Sequence, residues 1–116
     1  MKNNRNNREI KIPVLNNEYY VIVIFGDSNI VSKCLKRNGF KDTNGDYEGN
    51  RGLTYYESDC HPVIALTRKP KTADEFGTLA HEAVHAVKDI FDHVEEKSID
   101  EVFAHSVGAI VREALN

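Results

Sequence analysis

The sequence predicts an α+β fold in which a small mixed sheet carries its helices on one face. The run YYVIVIF at 19–25 is β-branched and aromatic throughout, which is typical of a strand buried on both faces. Strands and one helix alternate after it, and two amphipathic helices come last. This order favours an α+β sheet with helices packed against it.

The first helix is bounded by clear local signals. Residues 26–28 end the first strand, and Asp27 or Ser28 can cap a helix over 29–38. Gly39 follows as a stop signal. The apolar stripe of this helix includes Cys34, which we expect to be a small buried hydrophobe.

The second half of the chain predicts two short strands, at 53–57 and 62–67, and two helices. The first of these helices covers about 74–91, and the last ends near Ala114 after a charged connector at 92–98. Candidate N-caps are Thr72 or Asp74 for the former and Ser98 or Asp100 for the latter.

Length and composition indicate a single globular domain. We expect residues 1–9, which are polar and rich in asparagine, to be a disordered segment, and 10–116 to form the domain. The chain has 116 residues, of which 41% are hydrophobic and 28% charged. A net charge of −3 argues against a nucleic-acid binder.

No apolar run is long enough to span a membrane, and the N-terminus does not have the pattern of a secretion signal. Two cysteines do not form a disulfide framework. We therefore expect a cytoplasmic protein without membrane partners, and its oligomeric state stays open.

The motif with the most chemical content is His81-Glu82-Ala83-Val84-His85, or H-E-x-x-H, inside the long predicted helix. Side chains four residues apart stand on one face of a helix, so the two imidazoles can hold one Zn²⁺ while Glu82 lies beside them. The alternative is a solvent-facing helix with two surface histidines. The apolar positions of the helix, at 76, 80, 83, 84, 87 and 91, predict a core face bordered by the histidines.

A catalytic zinc needs a third protein ligand and an open position for water. The last helix offers two candidates. Glu101 lies in its first turn, and we expect this helix to fold back antiparallel on the preceding one, with the small residues Ala104 and Gly108 allowing close approach. His105, one turn further on, could replace Glu101 or support it from behind. A carboxylate in a first turn also has a purely structural explanation, because it opposes the helix dipole.

The segments TLAHEAVHAV and DEVFAHSVGAIV resemble the small gluzincin-type zinc metallopeptidases of phage and bacterial genomes. In that family, H-E-x-x-H is followed by a Glu in an E-x-x-A pattern, here Glu101-Val102-Phe103-Ala104. The resemblance implies a minimal zincin-like fold, with His81, His85 and Glu101 as zinc ligands and Glu82 as general base. A Tyr often follows that Ala in the family, whereas this chain has His105.

The same resemblance implies a strand beside the active-site helix along which a peptide can lie. Pro62 to Thr67 resembles that edge strand, so Val63, Ile64, Ala65 and Leu66 are the predicted substrate-binding residues. In the expected reaction, a zinc-bound water loses its proton to Glu82 and attacks the peptide carbonyl. Candidate oxyanion stabilisers are His105, Tyr55 and Tyr56.

Two other functions fit the sequence. The chain could be a metal-stabilised binding protein, for example a phage-encoded or bacterial modulator with a structural or vestigial zinc site. It could also be an α+β interaction domain without metal. A purely structural site has no need of Glu82, which favours the enzyme, and we expect its substrate to be a peptide or protein.

Overall fold

A computed structural model describes residues 9–15, 18–45, 51–93 and 100–116, with the side chains of residues 93, 100 and 101 left out of the description. Its four strands are β1 (Ile10–Val14), β2 (Tyr19–Phe25), β3 (Gly52–Tyr55) and β4 (Val63–Leu66), and its three helices are α1 (Ser28–Arg37), α2 (Ala73–His93) and α3 (Asp100–Leu115). The predicted α+β class with a small mixed sheet is confirmed. Within the described ranges, no helix has the length and apolar character needed to span a membrane.

The strands form one sheet in the order β1-β2-β4-β3. The central strands β2 and β4 are parallel and connected through α1, whereas β1 and β3 pair antiparallel at the two edges. The prediction that 62–67 forms an edge strand is therefore wrong. β3, which precedes β4 in the chain, pairs along its outer side and forms the edge instead.

β1 was not predicted from the sequence. Pro13 interrupts its short apolar pattern, and a proline usually argues against a strand because it has no N–H to donate. An edge position tolerates it, and Pro13 pairs with Tyr20 of β2. Glu9, the last residue of the segment predicted to be disordered, forms an ion pair with Arg37 of α1. The other residues of that segment, 1–8, lie outside the described ranges.

The helices cover both faces of the sheet, which corrects the prediction that they share one face. Side chains alternate along β2, so Val21 and Val23 pack with α2 and α3, whereas Ile22 and Ile24 pack with α1. A strand that is apolar on both faces needs helices or other elements packed against each face. Cys34 belongs to the α1 side and is fully buried, as expected, and burial raises the pKa of its thiol to about 12.

α2 is rotated relative to the face predicted for it. Its buried residues are Leu79, Ala83, Ala86, Val87, Ile90 and Phe91. Two residues assigned to the core, Phe76 and Val84, are each 41% exposed. The core face is therefore centred near Leu79 and Ala83, and His81 lies on the opposite side of the helix, pointing away from the sheet.

The start of α2 is held by a capping box. The Glu75 N–H donates to Thr72 Oγ1, and the Thr72 N–H donates to Glu75 Oε1, each at 3.2 Å. Backbone donation from Lys71 and the ion pair with Arg68 hold the pKa of Glu75 below its usual value. This cap fixes where the helix begins.

α3 packs beside α2 and against β1. The rings of Phe91 and Phe103 meet edge to face, with centroids 5.4 Å apart. Ile110 and Ala114 are buried. Ala104 and Gly108 are exposed, so the prediction that these small residues mediate close helix contact is wrong.

Candidate metal centre

His81 and His85 converge on one point in space. Their Nε2 atoms are 3.1 Å apart, and their rings lie nearly perpendicular, at 83°. Two nitrogens at about 2.05 Å from one tetrahedral ion are expected about 3.3 Å apart. The pair therefore has the spacing of two ligands of one Zn²⁺ ion. The same spacing also suits an N–H···N hydrogen bond between the rings.

Position on the helix explains how the pair is accessible. His81 is exposed and His85 is half-buried, because both stand on the side of α2 that faces away from the sheet. A metal held there would be open to solvent, as a catalytic site requires. The apolar clusters on the two sheet faces are built without either histidine.

Glu82 points away from solvent, into the contact between α2 and β3. It is 8% exposed, and its Oε1 accepts a 2.6 Å hydrogen bond from the hydroxyl of Thr54, which is equally buried. A buried carboxylate needs a donor of this kind, since an unpartnered charge in a protein interior is costly. The carboxylate of the expected general base is thereby held against β3.

Gly52 allows α2 to approach β3 at this point. A Cβ atom built on Gly52 would lie 2.5 Å from Leu66 Cδ2 and 3.0 Å from Thr78 Cγ2. Gly52 and Thr54 are two residues apart and share the α2 face of the sheet. Gly52 has no side chain to obstruct the approach of α2, and the side chain of Thr54 reaches Glu82.

Neither predicted third ligand is placed at the histidine pair. The side chain of Glu101 lies outside the described residues. His105 is exposed on α3, and the described side chains contain no group of three His, Cys, Asp or Glu that could hold a metal ion. One contact between α2 and α3 is the Phe91–Phe103 ring pair. On α2 it lies six residues beyond His85, which is roughly 9 Å along the axis of that helix.

The predicted substrate-binding residues do not lie at a free sheet edge. Val63, Ile64, Ala65 and Leu66 are buried, and their strand pairs with β2 on one side and β3 on the other. Burial on both faces and pairing at both edges leave this strand no surface for a peptide. Their assignment as substrate-binding residues is therefore corrected.

β3 is the edge strand beside the histidines. The Thr67 N–H donates to the Arg51 carbonyl, which marks this as a hydrogen-bonded pair of the antiparallel ladder. Since bonded and non-bonded pairs alternate, Gly52 and Thr54 direct their N–H and C=O groups away from β4. A peptide could pair with those groups next to Glu82.

Hollows lie at the two ends of the α2–β3 contact. One, of about 500 Å³, includes Arg51, Gly52, Thr78, His81 and Glu82 in its lining. The other, of about 430 Å³, is lined by 56–62, Tyr19 and the last turns of α2. The Thr54–Glu82 hydrogen bond joins α2 to β3 between them.

The second hollow is acidic. The carboxylates in its described lining are those of Glu57, Asp59, Asp89 and Asp92, and that lining includes no Lys or Arg. Its one histidine, His61, stacks on Tyr20 with ring centroids 3.6 Å apart, and burial lowers the pKa of its imidazole. At neutral pH this hollow favours a cationic over an anionic ligand.

The tyrosines predicted as oxyanion stabilisers are separated. Tyr55 packs with the α1-side cluster, on the opposite face of the sheet from Glu82. Tyr56 lines the acidic hollow. Thr54 and Gly52 were not identified from the sequence, although the alternation of a short strand places positions 52 and 54 on one face.

No family model, curated protein or solved structure matches this chain, so its function has to be inferred from the site itself.

Proposed function

We propose that this protein is a zinc-dependent metallopeptidase. The observation that carries the proposal is the 3.1 Å separation of the His81 and His85 Nε2 atoms on the solvent side of α2, with Glu82 next to His81 in the helix and its carboxylate held by Thr54. Two converging imidazoles and an adjacent carboxylate are what a zinc hydrolase needs for metal binding and proton transfer.

His81 and His85 would hold the metal, with Glu101 as the third ligand that the gluzincin resemblance implies. A bound zinc supplies a water of lowered pKa and polarises the scissile carbonyl. Glu82 accepts the proton of the attacking water and passes it to the leaving amine. Its burial and its bond to Thr54 restrict the carboxylate to one orientation, which suits repeated proton transfer at a fixed point.

Peptide substrate is proposed to bind as an added strand on β3. The outward N–H and C=O groups of Gly52 and Thr54 would pair with the peptide backbone and set its position relative to Glu82. The open side of the hollow next to His81 leaves room for a chain that enters and leaves the site.

Glu82→Gln tests the proposal. We expect the variant to retain equimolar zinc, measured by metal analysis, and to lose hydrolysis of denatured casein and of a fluorogenic peptide library. Glu18→Gln is the matched control, because Glu18 is exposed in the turn before β2. A Glu82→Gln variant that cleaves as fast as wild type would refute the mechanism.

A metal-binding interaction protein is the second candidate. It is favoured by one observation, that the Glu82 carboxylate is turned into a buried contact with Thr54 whereas His81 is exposed to solvent. Equimolar zinc without hydrolysis, and with no effect of Glu82→Gln on partner binding, would support it. A structural zinc would instead show itself by unfolding on chelation, whereas a chain that binds no zinc would be a plain interaction domain.

A further inference from the structure

We infer that Thr54 is a positioning residue that couples the strand edge on which substrate binds to the general base Glu82. The inference rests on the proposed peptidase function. It assigns to a β3 residue a role in catalysis that does not require contact with the reacting atoms.

The Thr54 hydroxyl oxygen lies within hydrogen-bond distance of two oxygen atoms of Glu82. Its Oγ1 lies 2.6 Å from Glu82 Oε1 and 3.0 Å from the Glu82 carbonyl oxygen. A hydroxyl has one proton to donate, and the shorter distance places it toward the carboxylate. The contact therefore holds the side chain of Glu82 against β3.

Thr54 has no substitute in this contact. Within the described part of the chain, it is the one residue whose side chain bonds the Glu82 carboxylate. Without that donor, the carboxylate would gain by rotating out toward water, since a buried and unpartnered charge is unfavourable. Such a rotation would move the base away from β3.

The same residue faces the proposed substrate through its backbone. Its N–H and C=O point away from β4, while its side chain points to α2. A peptide residue that pairs with Thr54 would therefore be held in a fixed position relative to Glu82. Binding and proton transfer are aligned by one short segment of strand.

Thr54→Val removes the hydroxyl at nearly constant volume, and Thr54→Ser retains it. We expect Thr54→Val to lower kcat roughly 10- to 100-fold, as is usual for partners that orient a catalytic group, with KM and zinc content unchanged. Thr54→Ser should stay within a few-fold of wild type. A purely structural role would not produce rescue by serine together with an isolated loss of kcat.

Thr54→Cys, which offers a weak thiol donor, provides a second test if the valine variant does not fold. Folding is checked by circular dichroism. Wild-type kcat in both the valine and cysteine variants, or an equal loss in the serine variant, would overturn the inference while leaving the peptidase proposal intact. A wild-type protein without zinc-dependent hydrolysis would overturn both.

Discussion

Thr54 on the edge strand and Glu82 on the adjacent helix are joined by a 2.6 Å hydrogen bond in a buried contact. This bond ties the central residue of the H-E-x-x-H motif to the sheet. It leaves the two histidines on the solvent side of the helix, so the motif is divided between a held carboxylate and an accessible nitrogen pair.

Zinc binding should depend on both histidines. We expect one zinc per chain by isothermal titration, and an affinity at least about 100-fold weaker in His81→Ala or His85→Ala, because each removes one of two converging nitrogens. His61→Ala is the matched control, since that ring stacks on Tyr20 outside the site. Equal affinity in all four proteins would show that the two rings form only a hydrogen bond.

The third ligand can be identified on α3. We expect Glu101→Gln to weaken zinc binding by at least about tenfold, because it removes a charged oxygen ligand, whereas His105→Ala leaves the affinity unchanged. His105 is exposed and belongs to no described metal-binding group. The opposite result, a loss in His105→Ala alone, would assign the ligand to His105.

The packing of α2 on β3 should depend on the absence of a Cβ atom at Gly52. We expect Gly52→Ala to lower the free energy of unfolding by about 1–3 kcal/mol, because its Cβ would overlap Leu66 and crowd Thr78. Gly77→Ala, within α2 and with no atom within 4 Å of the new Cβ, should instead raise it by about 0.5–1 kcal/mol. Urea unfolding measures both, and equal effects would contradict this account.

Stability should depend on pH through Glu57. The backbone N–H groups of Lys41 and Asp42 donate to its carboxylate and hold its pKa below the usual 4.5. A lowered folded-state pKa contributes stability above pH 4.5, and this contribution is lost as the pH falls through the lowered value. The excess of the wild-type urea midpoint over that of Glu57→Gln should therefore be smaller at pH 3 than at pH 7. A difference independent of pH would exclude this linkage.

The preference among peptide substrates should follow the negative charge of the acidic hollow. We expect peptides with lysine near the cleaved bond to show a higher kcat/KM than matched glutamate peptides, because carboxylates line this hollow. The difference should narrow between about 50 and 500 mM salt as the charges are screened. The double variant Asp59→Asn/Asp92→Asn should show a smaller difference in kcat/KM between the two peptides. A higher kcat/KM for the glutamate peptides would show that the acidic hollow does not select the substrate.

Local sequence signals predicted β2, α1 and α2 well, because each depends on near neighbours along the chain. Asp27 does cap α1, and Thr72 does cap α2. The rotation of α2 was less well predicted. Phe76 and Val84 fit a helical stripe equally well, but the sheet accepts Leu79, Ala86 and Ile90 instead. Which stripe is buried depends on the partner surface, and a periodic pattern does not contain that surface.

The sequence by itself determined that His81, Glu82 and His85 share a capped helix, since a spacing of four residues is a local property. Only the tertiary structure decided that β3 rather than β4 is the edge, that α1 covers the opposite face, and that Thr54 holds Glu82. Those relationships join segments far apart in the chain, such as Thr54 with Glu82 and Ile22 with Val63. They depend on strand order and on the close approach at Gly52, which emerge only when the whole chain packs.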